Sequence, residues 1–267
     1  MGVNNLKIAL IQMKAGVNKE KNLCRAENFA REAAAQGARL ILFPECFSFR
    51  GKTPLETIQK KVAETLKGPT VRLFEGVAKE TKTFIVLGSI YEKIPSENKV
   101  YNTAVFISPD GKRVGQYRKK NLFSACLNTK TICEGNVFLP GKKGRMFCID
   151  GGFRIGIGIC FDLRFPEMFR TYFKKGCDII ILPSNFTYET GKDHWEVLLR
   201  ARAIENKCYL AAPNQVGRDN NHVRSYGNSM VIDPWGRILA RADDKKETIV
   251  FASLNKKATE RARGKLG

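Results

Sequence analysis

Residues 156–167 read GIGICFDLRFPE, and this stretch decides how the rest of the chain is interpreted. Aliphatic residues alternate with glycines up to Cys160, and a turn containing Asp162, Arg164 and Pro166 follows. The pattern predicts a buried strand that ends at Cys160, because a short apolar run bounded by turn residues is typical of a sheet core. The thiol then has two interpretations. It fills the core as a small hydrophobic side chain, or it is a nucleophile presented at the tip of the strand.

The chain contains a faint internal repeat, and this stretch belongs to its second half. Each half begins with a short aliphatic strand that carries a basic residue, and continues with a helix closed by glycine and a strand ending in proline. Each later has two strands joined by a Pro-x-Gly-basic turn, which is typical of a β-hairpin. The corresponding segments are LKIALIQ (6–12) and FRIGIGIC (153–160), REAAAQGARLILFPE (31–45) and FRTYFKKGCDIIILPS (169–184), and NTAVFISPDGKRVGQY (102–117) and GNSMVIDPWGRILARA (227–242).

Helix signals support this division into halves. In the first helix the apolar residues fall on one face, and these are Leu23, Ala26, Ala30, Ala33 and Ala34. Gly37 lies where a C-terminal cap belongs, and the second helix is expected to begin at Pro166 and to end at Gly176. The strands LILF (40–43) and IIIL (179–182) are apolar on both faces, so both faces are expected to be covered. We therefore predict one α/β domain with two sheets, each of which carries helices on its outer face.

The bulk composition is that of a globular protein. The 267 residues are 43% hydrophobic, enough for one large domain or two small ones, and no apolar run is long enough to cross a bilayer. The eight cysteines are scattered without a C-x-x-C pair, which disfavours a zinc cluster and predicts free thiols in a reducing compartment. Because residues 1–12 also lack the features of a secretory signal, we expect a cytoplasmic protein. From the spacing of the cysteines, we expect no bound metal.

The net charge of +20, from 46 basic and 26 acidic residues, is the unusual feature of the composition. Such a charge can attract nucleic acid or an anionic surface. The basic residues are dispersed, however, and the densest run, KKATERARGK (256–265), has no aromatic residues on which bases could stack. We therefore expect neither specific nucleic-acid binding nor a membrane partner, and we interpret the charge as a solvated basic surface.

Three strand ends carry polar residues that a sheet core does not need. Glu45 follows LILFP, Lys119 follows RVGQY within three basic residues, and Cys160 ends GIGIC. Taken singly, they are a surface glutamate, a solvated cation and a small buried hydrophobe. Taken together, Glu45 and Cys160 lie at the carboxyl ends of sheet strands, where α/β folds gather their sites. A thiol before a helix start and near an ammonium is expected to have a lowered pKa, and a nearby carboxylate can shuttle its proton.

These residues carry a resemblance to a known family. Glu45 in LFPE, Lys119 in YRKKNLF and Cys160 in GICFDLRFPE resemble the Glu-Lys-Cys triad of the nitrilase superfamily of carbon–nitrogen hydrolases, in the same order and with similarly wide spacing. The similarity covers nearly the whole chain and is strongest to the Nit branch, which contains ω-amidases and deaminated-glutathione amidases. The longest matching segments are 183–212 and 226–240.

The resemblance implies a four-layer αββα sandwich of two pseudo-symmetric halves in a single domain. We assign this domain to residues 1–255 and treat residues 256–267 as a short basic C-terminal tail. The resemblance further implies a cysteine-dependent amidase that cleaves a small anionic primary amide through a thioester and needs no metal or organic cofactor. A homodimer or higher homo-oligomer is also expected, although relatives usually continue into a longer tail that packs on a partner.

The resemblance also implies roles for individual residues. Cys160 is the expected nucleophile and Glu45 its general base. Lys119 and the backbone N–H of Phe161 are expected to stabilise the oxyanion. Glu134, in CEGNVFLPG, resembles the second glutamate of the branch and is expected to hold Lys119 and the substrate. The expected substrate contacts are Arg164, Asn185 and Phe186.

The chain departs from the family pattern at two positions. In the motif Y-R-K-x-H-L-F, Asn121 stands in place of the histidine, and Ser124 replaces the acidic residue expected after the motif. The segment 124–131 also differs from the family's, which leaves its substrate contacts open. It lies within one of two long irregular loops, 46–68 and 123–145, and long loops in compact domains are often functional.

Other interpretations stay open on the sequence alone. A cysteine–histidine enzyme is disfavoured, because His194 begins a helix whose neighbours suggest packing and His222 lies in a polar loop. A non-catalytic basic binding module on the same fold is favoured only by the two departures. For the substrate, a small ω-amide of a 2-keto dicarboxylate is the leading choice, and a bulkier deaminated-glutathione-like amide is the alternative. Arg164 either clamps a substrate carboxylate or pairs with Asp162 or Glu167.

Overall fold

The computed structural model describes residues 5–127, 130–149 and 151–266 of the chain. The first half contains β1 (Asn5–Gln12), α1 (Lys19–Ala35), β2 (Leu40–Leu42), α2 (Leu55–Thr57), α3 (Pro69–Thr81), β3 (Phe84–Glu92), β4 (Val100–Ile107) and β5 (Arg113–Arg118). The connecting segment contains β6 (Ser124–Leu127), β7 (Lys130–Cys133) and β8 (Phe138–Leu139). The second half contains β9 (Arg145–Ile149), β10 (Phe153–Ile157), α4 (Pro166–Lys174), β11 (Ile179–Ile181), α5 (Tyr188–Asn206), β12 (Tyr209–Ala212), β13 (Val216–Arg218), β14 (Arg224–Tyr226), β15 (Met230–Ile232), β16 (Ile238–Arg241), β17 (Thr248–Asn255) and α6 (Lys256–Leu266). A π-helical turn (Ile58–Val62) continues α2, and 3-10 turns occupy Glu134–Asn136 and Cys160–Arg164.

The two main sheets have corresponding strand orders when the second sheet is read from β9 to β16. The first runs β17–β1–β2–β3–β4–β5 with β8 beside β4, and the second runs β16–β15–β12–β11–β10–β9. In the first sheet β1, β2 and β3 are parallel neighbours, and in the second β10, β11 and β12 are. The last strand of the second half joins the sheet of the first half, because β17 pairs with β1. This pairing fastens the two halves into one domain.

The sheets pack face to face, and helices cover their outer faces. In β2, Leu40 and Leu42 belong to the central core shared with the second sheet, whereas Ile41 packs in a separate cluster with residues of α1 and α3. Alternation of this kind is what a strand covered on both faces requires. The predicted four-layer αββα sandwich of two related halves is therefore confirmed.

The glycines of the opening stretch allow α4 to lie directly against β10. A Cβ atom at Gly156 would lie 2.6 Å from Cδ2 of Tyr172, which is far closer than side-chain carbons approach one another. The hydroxyl of Tyr172 donates to the backbone carbonyl of Ile157 at 2.7 Å and fixes the same contact. Ile155 and Ile157 meanwhile belong to the central core. The alternation of isoleucine and glycine thus encodes one core face and one helix-contact face.

Several local predictions are confirmed and two are wrong. The predicted hairpins form in both halves, where β4 pairs with β5 and β15 with β16. The segments 46–68 and 123–145 are less irregular than expected, because they contain α2 with its π-helical turn and β6–β8. The helix expected to start at His194 begins six residues earlier. Gly191 concealed this start, yet the helix needs glycine there because a Cβ atom would lie 2.4 Å from Cγ of Tyr226.

The segment predicted to be a short basic C-terminal tail contains α6, which packs against the second half. Thr259 is buried and its hydroxyl donates to Oδ1 of Asp178 at 3.1 Å. Nη1 of Arg263 lies 3.5 Å from the same oxygen. Residues 1–4, 128, 129, 150 and 267 of the assigned ranges lie outside the described residues. In the described part of the chain, no helix combines the length and the apolar character needed to cross a bilayer.

Candidate active site

The polar residues at the strand ends are brought together by strand direction. Glu45 follows β2 and Lys119 follows β5, and β5 runs parallel to β2 because two antiparallel pairings separate β5 from β3. Their side chains therefore reach the same edge of the first sheet. Cys160 follows β10 in the second sheet, and Glu134 begins the 3-10 turn after β7.

Lys119 is fully buried and lies between two carboxylates. Its Nζ is 2.7 Å from Oε1 of Glu45 and 2.8 Å from the carboxylate of Glu134. Its backbone is fixed on both sides, since its N–H donates to the carbonyl of Asn102 at 2.8 Å and its own carbonyl accepts from Gly141 at 2.7 Å. One ammonium between two carboxylates leaves the cluster with a negative charge.

The carboxylate of Glu45 is held in one orientation by several donors. Besides Lys119, the side-chain amide of Asn102 donates to Oε1 at 2.9 Å. The backbone N–H of Asn185 donates to Oε2 at 2.8 Å. The side chain of Gln215 donates to the backbone carbonyl of Glu45 at 3.0 Å. Both oxygens of the carboxylate are therefore positioned before any ligand arrives.

Cys160 occupies a sharp turn between β10 and the following 3-10 turn. Its φ of +46° lies in the left-handed region, which for a non-glycine residue costs about 1–3 kcal/mol. The side chain is 8% exposed and borders a cavity. The backbone N–H of Asn185, which donates to Oε2 of Glu45, also works to lower the pKa of Cys160, so one peptide group acts on both the thiol and the carboxylate.

Asp162 holds this turn in place, and the sequence reasoning assigned it no role in the site. Its Oδ2 accepts from the backbone N–H of Ile159 at 2.9 Å and from the hydroxyl of Tyr117 at 2.7 Å. Its Oδ1 accepts from the backbone and side-chain amides of Asn121 at 2.9 and 2.8 Å. Asn121, where the family motif has histidine, thus supports the turn of Cys160. The proximity of Asp162 to Cys160 in the opening stretch was the available signal.

The charges of the site oppose ionisation of the thiol. Burial raises the pKa of Cys160 well above its ordinary value, Glu45 adds to the rise, and Lys119 opposes it. The expected lowering of this pKa is therefore wrong, because burial and two carboxylates outweigh one ammonium. Burial also works to lower the pKa of Lys119, but Glu134 and Glu45 outweigh it and hold that pKa well above its usual range. Burial raises the pKa of Glu134 as well.

A cavity of about 470 Å³ borders the thiol. The site residues predicted from the sequence that line it are Glu134, Cys160, Phe161, Arg164, Asn185 and Phe186. Glu45 and Lys119 are buried beside these residues. Another part of the wall comes from Arg50, Lys52 and the loop 219–223. The cavity therefore joins the predicted site to surfaces that the sequence did not indicate.

Arg164 has no acidic partner among the described residues, so the expected alternative of a pair with Asp162 or Glu167 is wrong. Its guanidinium carbon lies 5.7 Å from the ring centre of Phe161, its Nη2 is 3.1 Å from Nδ1 of His194, and burial lowers its pKa. Asp162 is instead engaged by the donors around the cysteine turn, and Glu167 is exposed. His194 is exposed and does not line the cavity.

Comparisons with known proteins identify the family. The profile of the carbon–nitrogen hydrolase family matches residues 7–263. The chain is 36% identical over 256 residues to the ω-amidase NIT2 of Pongo abelii, covering 95% of this chain and 90% of that protein. It is 38% identical over 240 residues to the deaminated glutathione amidase of Synechocystis sp. (strain PCC 6803 / GT-S), covering 89% and 87%. The crystal structure of Saccharomyces cerevisiae Nit3, a member of branch 10 of the nitrilase superfamily, matches with a TM-score of 0.86 and 32% identity over 98% of this chain and 94% of that one.

The fold and the family match define a hydrolase of carbon–nitrogen bonds other than peptide bonds. The chain belongs to the carbon–nitrogen hydrolase family, within the nitrilase superfamily. The resemblance inferred from the three strand ends is confirmed.

Proposed function

We propose that the protein is a cysteine-dependent amidase that hydrolyses the C–N bond of a small primary amide to an acid and ammonia. The observation that supports this most directly is the buried cluster of Glu45, Lys119 and Glu134 next to Cys160 at a cavity wall. Moving each of these charged groups out of water costs roughly several kcal/mol of desolvation free energy. A thiol with a carboxylate and an ammonium nearby is the set of groups that covalent hydrolysis of an amide requires.

In the first step, the sulfur of Cys160 bonds to the amide carbonyl carbon and its proton passes to Glu45. A base is necessary because the raised pKa keeps the thiol protonated beforehand. The N–H of Asn185 donates to Oε2 of Glu45 and fixes the orientation of the base, and it also acts on the pKa of Cys160.

The carbonyl oxygen gains the electron pair, and Lys119 with the N–H of Phe161 stabilises the resulting oxyanion. One such donor contributes about 2.7–4 kcal/mol in comparable acyl transfers. The raised pKa of Lys119 keeps the ammonium charged through this step. The C–N bond then breaks, Glu45 returns the proton to the departing nitrogen, ammonia leaves, and a thioester remains on Cys160.

Water completes the cycle at the same groups. Glu45 takes a proton from water as the water oxygen bonds to the thioester carbon, and the same donors stabilise the second oxyanion. The C–S bond then breaks, the acid leaves, and the sulfur of Cys160 regains the proton from Glu45. Atoms and charges balance without a metal or an organic cofactor.

Glu134 is a positioning residue in this mechanism. Its carboxylate lies 2.8 Å from Nζ of Lys119 and accepts the backbone N–H of Phe123 at 2.7 Å. It therefore fastens the ammonium to the segment that borders the cavity.

For the substrate, we propose a small anionic ω-amide of a 2-keto dicarboxylate, as for the ω-amidase relative. Arg164 lines the cavity without an ion pair among the described residues, so its guanidinium is available for a carboxylate. Asn185 and Phe186 are proposed to border the bound amide. The second candidate, as for the deaminated glutathione amidase relative, is a bulkier amide whose hydrolysis releases an amine in place of ammonia.

The test is a substrate panel with purified protein. Hydrolysis of 2-ketoglutaramate, 2-ketosuccinamate, deaminated glutathione and simple nitriles is measured, and the leading proposal predicts turnover of the first two. Cys160→Ala is expected to abolish turnover, and mass spectrometry of the parent protein is expected to find an acyl adduct on Cys160. Retained turnover in Cys160→Ala would contradict the mechanism. Filter binding of DNA and RNA across salt tests the alternative of a basic binding module, which predicts a steep salt dependence.

We also propose a homodimer, supported by an exposed apolar patch on α5 and the β15–β16 turn. Val197, Trp235 and Leu239 are exposed, and Ile204 lies against the turn, where a Cβ atom at Gly236 would be 2.6 Å from its Cδ1. Patches of this kind mark protein interfaces. Light scattering is expected to give twice the 30.0 kDa chain mass, and Trp235→Lys is expected to reduce it to the single chain mass. A single chain mass for the parent protein would contradict the dimer.

A cytoplasmic location is proposed on the state of the cysteines. All eight are free thiols, of which Cys46, Cys160, Cys177 and Cys208 are buried. Proteins of oxidising compartments seldom keep so many unpaired thiols. Fractionation of the source cells with a cytoplasmic marker enzyme tests this location.

A further inference from the structure

Arg50 is a buried guanidinium at the cavity wall that forms no ion pair among the described residues. The residue is only 2% exposed. Its Nη1 and Nη2 donate to three backbone carbonyls of the β13–β14 hairpin, those of Val216, Gly217 and Val223, at 3.3, 3.2 and 2.7 Å. Its Nε has no hydrogen-bond partner in the described part of the chain.

Fastening the hairpin explains the carbonyl contacts of Arg50 but not its charge. Peptide carbonyls accept hydrogen bonds without supplying a negative charge, and an uncompensated buried ion is strongly destabilising. The acid whose charge Arg50 feels most is Asp219, but Asp219 accepts the backbone N–H groups of Asn221 and Val223 at 2.9 Å each. Burial accordingly lowers the pKa of Arg50.

The loop that carries Arg50 is fastened to the loop 219–223. Oδ1 of Asn220 accepts the backbone N–H of Lys52 at 2.8 Å, and its Nδ2 donates to the carbonyl of Lys52 at 3.1 Å. Gly51, which lies between Arg50 and Lys52 in the chain, has a φ of +148°, and a Cβ atom there would lie 2.4 Å from Oδ1 of Asn220. Arg50 and exposed Lys52 therefore belong to a fixed part of the wall, on a different element from Arg164.

The cations at the cavity wall lie on two elements. Of the acids at the wall, Glu134 shares Lys119 with Glu45, and Asp219 acts electrostatically on Arg50 without forming an ion pair with it. Among the described residues, Arg50, Lys52 and Arg164 line the same cavity and form no ion pair. Among the described residues that line this part of the wall, a single carboxylate at Arg164 leaves Arg50 and Lys52 with Asp219, which is one acid for two cations.

We propose that Arg50, assisted by Lys52, binds a second negatively charged group of the substrate, distinct from the carboxylate received by Arg164. This inference rests on the proposed amidase function and narrows its substrate to an amide that carries two separate carboxylates. It therefore favours the larger of the two candidate substrates over an amide with one carboxylate.

The first test compares two amides in Arg50→Gln protein. For deaminated glutathione, which carries two carboxylates, KM is expected to rise at least tenfold, about 1.4 kcal/mol, with kcat within about twofold. For 2-ketoglutaramate, which carries one, KM is expected to stay unchanged. Arg39→Gln is the matched control, because it removes the same charge from an exposed residue before β2 that does not line the cavity, and it is expected to change neither KM. An equal rise of KM for both amides in Arg50→Gln, or none for either, overturns the proposal.

Lys52→Gln keeps the proposal testable if Arg50→Gln fails to fold, since Lys52 is exposed and its backbone holds the loop contact. A rise of about threefold in KM, about 0.65 kcal/mol, is expected for the two-carboxylate amide alone. A rise that is the same for both amides counts against the proposal.

A binding test separates this inference from the proposed activity. Calorimetry with Cys160→Ala protein measures Kd for dicarboxylates from succinate to pimelate and for the monoamide of each. At one chain length or more, the dicarboxylate is expected to bind at least tenfold more tightly than its monoamide, and Arg50→Gln is expected to abolish the difference. Absence of hydrolysis of both amides by the parent protein contradicts the amidase function alone. Equal Kd values for dicarboxylate and monoamide at every length contradict the role of Arg50.

Discussion

Replacing Asp162 by asparagine tests whether the turn of Cys160 is held by a charge. The substitution keeps the shape of the side chain but turns one carboxylate oxygen into an N–H donor. Each oxygen of Asp162 accepts two hydrogen bonds, from Tyr117 and Ile159 on one side and from the two amides of Asn121 on the other. Whichever way the new amide turns, it faces two donors.

The expected loss of stability follows from these contacts. A hydrogen bond to a charged group contributes about 1.5–3 kcal/mol, so losing two costs about 3–6 kcal/mol. Two effects offset part of this cost. The hydroxyl of Tyr117 can rotate and accept a hydrogen bond from the new amide. Burial destabilises the charged carboxylate of Asp162 and so raises its pKa, and the neutral asparagine avoids that cost. The expected net decrease in the free energy of unfolding is about 2–4 kcal/mol, within the total of a stable domain.

The loss of activity is expected to be larger than that of stability. With Asp162 replaced, the left-handed turn at Cys160 can relax, and the thiol and the N–H of Phe161 then shift together. A displacement of about 1 Å lowers the rate on the order of 100-fold. We therefore expect kcat to fall on the order of 100-fold with KM within a few-fold.

Urea unfolding monitored by tryptophan fluorescence gives the stability, and initial rates on the best substrate of the panel give kcat and KM. Tyr117→Phe is the control, because it removes one of the four hydrogen bonds and leaves the charge of Asp162 in place. It is expected to cost about 1–2 kcal/mol and to lower kcat less than tenfold. If Asp162→Asn changes stability by less than about 1 kcal/mol and kcat by less than threefold, the turn is not held in this way.

Three other regions give further tests. Because the negative charge of Glu134 raises the pKa of Cys160, Glu134→Gln is expected to lower that pKa, measured from the pH dependence of alkylation by iodoacetamide. A pKa that stays or rises contradicts the charge balance described for the site. Gly156→Ala inserts a Cβ atom 2.6 Å from Tyr172 and is expected to destabilise the protein by about 1–3 kcal/mol in urea, whereas an unchanged midpoint would show that α4 is not so close. Thr259→Val removes the hydrogen bond that ties α6 to the second half, so amide exchange in α6 is expected to speed up by about five- to tenfold, for about 1 kcal/mol. Exchange at the parent rate would mean that this hydrogen bond does not hold the helix.

Much of the fold could be predicted because its signals are local. Gly37 and Gly176, which were expected to close corresponding helices, have φ values of +82° and +74° in equivalent places of the two halves. The Pro-x-Gly-basic turns mark both hairpins. Gly191 shows where such signals mislead, because its reason is the ring of Tyr226 on another element.

The site could be predicted in part. The strand ends at Glu45, Lys119 and Cys160 carried the family resemblance, and the structure brings Glu45 and Lys119 to within 2.7 Å of one another. The direction of the pKa shift of Cys160 could not be predicted, since it depends on burial and on the balance of three charges from separate segments. Whether Arg164 pairs with Asp162 or Glu167 or is free to bind a substrate carboxylate could not be predicted either, because neighbours in sequence are not always neighbours in space.

The sequence by itself determined most of the strands, helices and turns of this protein, its two related halves and the residues proposed as reactive groups, because each of these depends on residues close together along the chain. Only the tertiary structure decided which charges face one another, and therefore that the pKa of the thiol is raised, that Asp162 holds its turn and that Arg50 borders the cavity without an ion pair among the described residues. The physical reason is that burial and electrostatic interaction depend on distance in space, and the pairing of β17 with β1 and the packing of the two sheets bring together residues that are far apart in the chain.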